Sequence, residues 1–250
     1  MTRKTATRNG TAGKSADATP TYTGSPPFGA PKLTSDGGIK TSFVQQVYAT
    51  IMAQLDAGAI QPGSRLIASE LAEQLNLSRG PVREALAVLA GQGLVELLPD
   101  RGAILRPMAQ QDLVGVYETS APVAAIGLRA AALRIGEGDN AVRVTQAMAA
   151  IRTAAADGRH GFRFYLILNE YHYLINAIAE KPYVDFVLRA LNIEYWNRLL
   201  VTAIDLDKHV DQYVRNYQRI TEAVLAGDPR AAEAIMLYHA DWCISLLQPD

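Results

Sequence analysis

The chain has 250 residues, 49% of them hydrophobic, with 24 Lys and Arg against 25 Asp and Glu and a formal net charge of −1. That length supports a sizeable core and points to two domains, while the single cysteine excludes an intrachain disulfide and suits a reducing cytoplasm. No apolar run reaches the ~18 residues of a membrane span, and no apolar segment follows the basic N-terminal residues as a signal peptide requires.

Charge is unevenly placed. Residues 1–38 carry five basic and two acidic side chains, residues 39–107 six of each, and residues 108–250 thirteen basic and seventeen acidic. Attraction to a polyanion must therefore be local. Residues 1–38 are rich in Thr, Gly, Ser, Ala and Pro, and are expected to be a disordered tail, because they hold too few large apolar side chains to offset their ordering entropy. Arg3, Lys4, Arg8 and Lys14 would add nonspecific phosphate attraction at most.

Residues 39–107 read as three helices and a β-hairpin. Ser42 and Gln45 form a capping-box signature ahead of Val44, Val47, Ile51 and Leu55, which share a helical face until Gly58. Ser69 is a plausible N-cap for a short second helix through Leu71, Ala72 and Leu75. Asn76-Leu77 breaks that helix, and Ser78 caps the next, with Pro81 in its first turn, where a missing N–H costs nothing. Val82, Ala85, Leu86 and Leu89 form its inner face, while Arg79 and Arg83, four apart, project together. Two short helices and a tight turn, with arginines opening the second, make a helix-turn-helix whose recognition helix enters the major groove. Gly91-Gln92-Gly93 then ends the helix. Residues 94–98, an apolar run suited to a strand, and 103–106 form a hairpin, or wing, tipped by Arg101-Gly102.

From Ala59 to Leu66, then Glu70-Leu71-Ala72, Leu77 to Leu86, Gly93-Leu94-Val95 and Arg101-Gly102, the ordered series resembles the GntR family of bacterial transcription regulators. The resemblance implies a homodimer on a palindromic double-stranded DNA operator. Ser78, Arg79, Gly80, Pro81 and Arg83 fall at recognition-helix positions, Arg101 and Gly102 in the wing, and Arg65 in the segment that precedes the helix pair. Ser69 stands where several members carry a base-reading arginine.

After Pro107 the apolar period stays helical. Helices are expected over residues 110–135, 139–156, 161–179, 182–203, 207–226 and 229–247, with the first kinked or broken at Pro122 or Gly127. The fold expected is thus mostly α: a winged helix-turn-helix and then, over 108–250, an all-α six-helix bundle for effector binding and dimerisation. Cys243 reads as a small buried hydrophobe, and Tyr165, Tyr171, Tyr195 and Trp196 as core or pocket wall.

This half resembles the FCD class of the same family, which binds small metabolites, commonly carboxylates. Six helices resemble its VanR-like branch, and Gly227 to Ala232 with His239 is the clearest local match. The resemblance implies an effector site at Asn169, His172, Tyr217 and His239. Many members hold a divalent metal such as zinc with an Asp or Asn and three histidines. Here only His172 and His239 remain of that set, since Leu168 and Tyr217 fill the other two places. Ser120 stands where members often carry a carboxylate-pairing arginine, leaving Arg129, Arg163 or Arg198 as substitutes.

Two other functions compete with a ligand-responsive repressor. A metal-dependent helical-bundle enzyme is disfavoured by the absence of a phosphate loop, a nucleophile elbow or a HExxH set. A constitutive DNA-binding dimer without effector fits the non-ligand residues at 120, 168 and 217.

Overall fold

The computed structural model describes residues 38–99, 102–158, 160–191 and 193–248, with the side chains of 38–42, 193 and 194 outside that description. The expected tail, residues 1–38, lies outside it apart from Gly38, which begins a helix, and so does the wing-tip residue Arg101.

The first unit comprises α1 (Gly38–Asp56), β1 (Arg65–Leu66), α2 (Ala68–Gln74), α3 (Arg79–Gly91), β2 (Val95–Leu98) and β3 (Gly102–Leu105). Val47 and Ile51 of α1 meet Val82, Ala85, Leu86 and Leu89 of α3 in one buried cluster, closed below by Leu94, Val95, Ala103 and Leu105 of the sheet. The heptad-like spacing of those residues is what gives each helix one apolar face to bury.

Three local expectations change. Helix α1 begins at Gly38, so Ser42 lies within it instead of capping it. The N-cap of α2 is Ile67, in extended backbone, and Ser69 is the second helical residue. The reason is β1, a strand the sequence did not reveal. Arg65 pairs with Ile104 and Leu66 with Ala103, so the chain stays extended up to Ile67 and turns helical at Ala68. The hairpin is thereby a three-stranded sheet of order β1-β3-β2. Ser78 does occupy the N-cap of α3, with extended φ/ψ of −80° and 160° but without a side-chain cap hydrogen bond.

The second unit comprises α4 (Gln110–Leu133), α5 (Asn140–Ala156), α6 (Phe162–Ala179), α7 (Pro182–Ala190), α8 (Ile193–Ala203), α9 (Leu206–Leu225) and α10 (Pro229–Leu247). Its core runs through Leu128, Val144, Ile151, Ile175, Leu200, Ile220, Val224 and Cys243. At the head of α10, Asp228 accepts hydrogen bonds from the Arg230 and Ala231 amides, and Pro229 fills the first turn.

Helix α4 is unbroken across Pro122 and Gly127. Pro122 is on the exposed side, so the carbonyl it fails to bond, one turn earlier at Glu118, shares a face with solvent. Gly127 is a packing residue: a Cβ there would stand 2.4 Å from Asn176 Oδ1 of α6.

The run expected as one helix over 182–203 is two, so the bundle has seven helices among the described residues, and the six-helix likeness to the VanR-like branch falls away. The apolar period does not mark the break. It comes from tertiary demand, since α7 buries Val184 and Leu188 in the bundle while α8 must serve two cores: Trp196 and Leu200 join the bundle, and Tyr195 joins the winged unit.

Candidate functional site

The start of α3 presents Ser78, Arg79, Gly80 and Arg83 to solvent, with Pro81 half-buried. Val82 and Leu86 are buried beneath them, which fixes the direction in which the two arginines point. No ion pair among the described residues ties Arg79 or Arg83 to another side chain. Arg65 is exposed on the edge strand β1 and Ser69 is half-buried in α2. Gly102 opens β3, and a Cβ on it would meet the Leu66 carbonyl oxygen at 2.6 Å. That close approach explains a glycine here whether or not the wing touches DNA.

The bundle holds a partly open cavity of about 60 Å³, and the four residues Asn169, His172, Tyr217 and His239 all line it, together with Ser120. Helix α6 supplies Asn169 and His172, one turn apart on the same face; α9 supplies Tyr217, α10 His239 and α4 Ser120. His172 Nε2 and the Tyr217 hydroxyl are 2.9 Å apart, and the His172, Tyr217 and His239 rings meet edge to face. Gln212 Nε2 donates to Asn216 Oδ1 at 2.8 Å, and Asn216 Nδ2 in turn faces His239 Nδ1 at 3.1 Å. With that amide orientation, Nδ1 accepts and the His239 proton sits on Nε2. Burial pushes the His172 pKa down to about 4 and that of His239 to about 3, so both rings are neutral at physiological pH.

Trp196, read from the sequence as core or pocket wall, lines the cavity, and so do Tyr117 and Asn197, which sequence reasoning did not single out. Trp196 Nε1, Asn197 Nδ2 and Asn169 Nδ2 are buried donors with no hydrogen-bond partner. An Asn in an apolar helix carries no spacing signal, so only the packing of α8 against the bundle discloses Asn197.

The sequence matches the model for bacterial regulatory proteins of the gntR family over residues 43–105, and that for the FCD domain over residues 116–241. The chain belongs to the gntR family, in its FCD class. The regulator is 28% identical to a probable D-xylose utilization operon transcriptional repressor of Paenarthrobacter nicotinovorans, over 80% of this chain and 86% of that protein. It is likewise 28% identical to the HTH-type transcriptional repressor GlaR of Escherichia coli, over 80% of this chain and 94% of the other. Among solved structures, E. coli McbR/YncC shares the fold, with a TM-score of 0.63 at 22% identity, covering 82% of this chain and 96% of that one. The regulator is accordingly a DNA-binding, effector-responsive transcription factor and not an enzyme.

The family's metal does not fit the residues this regulator offers. Leu168, buried where the resemblance puts one ligand, has no lone pair to give, and Tyr217 is turned into a hydrogen bond with His172 Nε2. Among the described residues no three His, Cys, Asp or Glu side chains come together as a metal-binding group. Two neutral imidazoles fall short of the three or four protein ligands of a stable zinc site. Nor does any of the three arginines considered as carboxylate partners line the cavity. Arg129 pairs with Glu233 at 3.4 Å on the surface, and Arg163 is exposed. Arg198 lies 3.7 Å above the Phe162 ring and donates to both carboxylate oxygens of Asp56, at 2.7 and 3.1 Å.

That last contact joins the two units of the regulator. Asp56 ends α1 of the winged unit, and Arg198 belongs to α8. On the same helix the Tyr195 hydroxyl donates to the carbonyl of Arg106, in the segment that connects the units. Leu199 packs against both cores. No helix among the described residues is long and apolar enough to cross a membrane.

Proposed function

We propose that this regulator is a cytoplasmic homodimeric repressor whose hold on a palindromic operator is altered by a small molecule in the bundle cavity. The winged helix-turn-helix, residues 39–107, binds DNA, and residues 108–250 bind effector and dimerise. Arg79 and Arg83 read guanine edges or phosphates in the major groove, and Ser78, Gly80 and Pro81 seat the helix on the backbone. Arg65 and Ser69 flank this surface, and Arg101-Gly102 reaches into the adjacent minor groove. The names of the two curated relatives support repression.

One observation carries the coupling: adjacent residues of α8 face different cores, Trp196 the cavity and Tyr195 the winged unit. A ligand that moves the Trp196 side of α8 must also move Tyr195 and the Arg198–Asp56 pair, which biases the placement of the winged units. Such a bias changes operator affinity only if the ligand binds the two arrangements unequally.

The test is operator binding after in vitro selection of the site. DNase protection should show two symmetric half-sites on one duplex, and Arg83→Ala should weaken binding by about 1–3 kcal/mol, the worth of one bidentate base contact. Unchanged affinity in that variant would remove α3 from the recognition role.

A further inference from the structure

Among the described residues, the wall of the bundle cavity carries amides, hydroxyls, neutral rings and apolar groups, and no Arg, Lys, Asp or Glu. Trp196 and Asn197 are 6% and 2% exposed, yet each holds an N–H without an acceptor, and Asn169 holds a third. A buried donor left unpaired costs free energy that a suitably placed oxygen recovers. All three donors belong to residues on the wall of one cavity, where oxygen atoms of a guest would supply acceptors.

The guest's charge follows from the same wall. Burial holds His172 neutral, and burial with the neighbouring His172 holds His239 neutral, with no carboxylate among the described residues of the wall. A carboxylate entering this space would lose its hydration against a wall without a cation, at a cost that donors alone offset incompletely. The wall residues Asn169, Asn197 and Ser120 also carry side-chain oxygens, and the Tyr217 hydroxyl is paired with His172 Nε2. Ligand hydroxyl groups both accept and donate, so they satisfy both kinds of partner, whereas a carboxylate only accepts.

We propose that this cavity is a metal-independent receptor for a small, uncharged, oxygen-rich molecule of the polyol or aldose class, read by Asn169, Trp196 and Asn197. The inference rests on the reading of the cavity as the effector site. It departs from the family's metal and carboxylate chemistry because Leu168, Tyr217 and Ser120 have replaced the residues that would supply it. At about 60 Å³ the space takes on the order of four to six waters, given the ~10–15 Å³ each one requires. This favours the smallest members of the class, whose hydroxyls replace those waters.

The experiment is a thermal-shift and calorimetric titration of the full chain at pH 7.5. The probes are glycerol, erythritol, the neutral pentoses and pentitols, the matching aldonates, and small dicarboxylates, each with EDTA and with zinc. The expected result is binding by at least one neutral compound in EDTA, with the aldonate of equal carbon number at least tenfold weaker. Asn197→Leu, whose fold is checked by its unfolding profile, should lower the neutral compound's affinity at least tenfold. Trp196→Phe, which keeps the ring and removes Nε1–H, should lower it by a smaller factor. In Ser120→Arg, a cation on the wall should shift preference toward the carboxylates. Preference of the unaltered protein for carboxylates, a requirement for zinc, or no response to any neutral compound at millimolar concentration overturns the proposal. Operator release, followed separately by fluorescence anisotropy, keeps the two readings apart. Release by a carboxylate would sink the ligand class and leave the effector-controlled repressor standing. Neutral-compound binding without release would do the reverse.

Discussion

Replacing His239 with glutamine removes a ring that is 2% exposed and whose pKa is pushed from 6.5 to about 3, chiefly by burial and secondarily by the nearby His172. Because the folded value lies below the unfolded one, the unfolded chain takes up the proton first as the pH falls. The native state is therefore progressively disfavoured from about pH 6.5 down to the folded pKa, and is unaffected by this group above that window. Linkage over the two values gives a loss of about 2 kcal/mol for this ring between pH 7 and pH 5. His172, pushed down to about 4, adds a loss of the same order, softened because the residue is only partly covered. Glutamine retains an amide near Asn216 and does not titrate, so the His239→Gln variant should lose about 2 kcal/mol less than the parent over that interval. Urea unfolding at pH 7, 6 and 5 measures this directly, and the slope against pH, not the absolute stability, is the readout. Contributions from carboxylates elsewhere cancel between the two proteins. Equal slopes would refute the argument, since they would mean that His239 finds water or a proton acceptor in the folded state and that the cavity tolerates charge.

His160 should behave in the opposite sense. Its Nε2 faces the Ala155 carbonyl and its Nδ1 faces Asp207, both at 2.7 Å, and the carbonyl contact leads the causes that raise its pKa. Its stabilisation is complete below the unfolded pKa and is lost as pH rises through the folded one, so His160→Gln should lessen the loss of stability between pH 6 and pH 8 in the same unfolding assay. For Gly127→Ala, the gain in helix propensity of up to about 1 kcal/mol is set against overpacking of about 1–3 kcal/mol, because the new Cβ would lie 2.4 Å from Asn176 Oδ1. The net expectation is a lower urea midpoint, and a higher one would show that Asn176 can withdraw. Gly102→Ala should destabilise the winged unit by about 1–3 kcal/mol through its contact with the Leu66 carbonyl, seen as earlier loss of protection in hydrogen exchange of β1 and β3. A variant with parental exchange and weakened operator binding would instead assign Gly102 to the DNA.

Sequence alone settled the features that depend on neighbours in the chain. The apolar face of α3, its extended N-cap at Ser78 and the exposed Arg79 and Arg83 follow from a 3.6-residue period and from proline chemistry in a first turn, which are local constraints. The same holds for the hairpin of β2 and β3, for the Asp228-Pro229 start of α10, and for the family, whose motif is a contiguous series. His172 and His239 were legible as a pair only through their matched positions, 67 residues apart. What the sequence misjudged depends on partners distant along the chain. Strand β1 exists because β3 is there to pair with it, and that pairing moved the N-cap of α2 from Ser69 to Ile67. Gly127 reads locally as a helix breaker, but in the fold it is the space that Asn176 needs. The apolar period runs without interruption through the junction of α7 and α8. Only the presence of two cores to be served by adjacent residues, Tyr195 and Trp196, divides that run, and the same division brings the unpaired donors of Trp196 and Asn197 to the cavity beside His172 and His239.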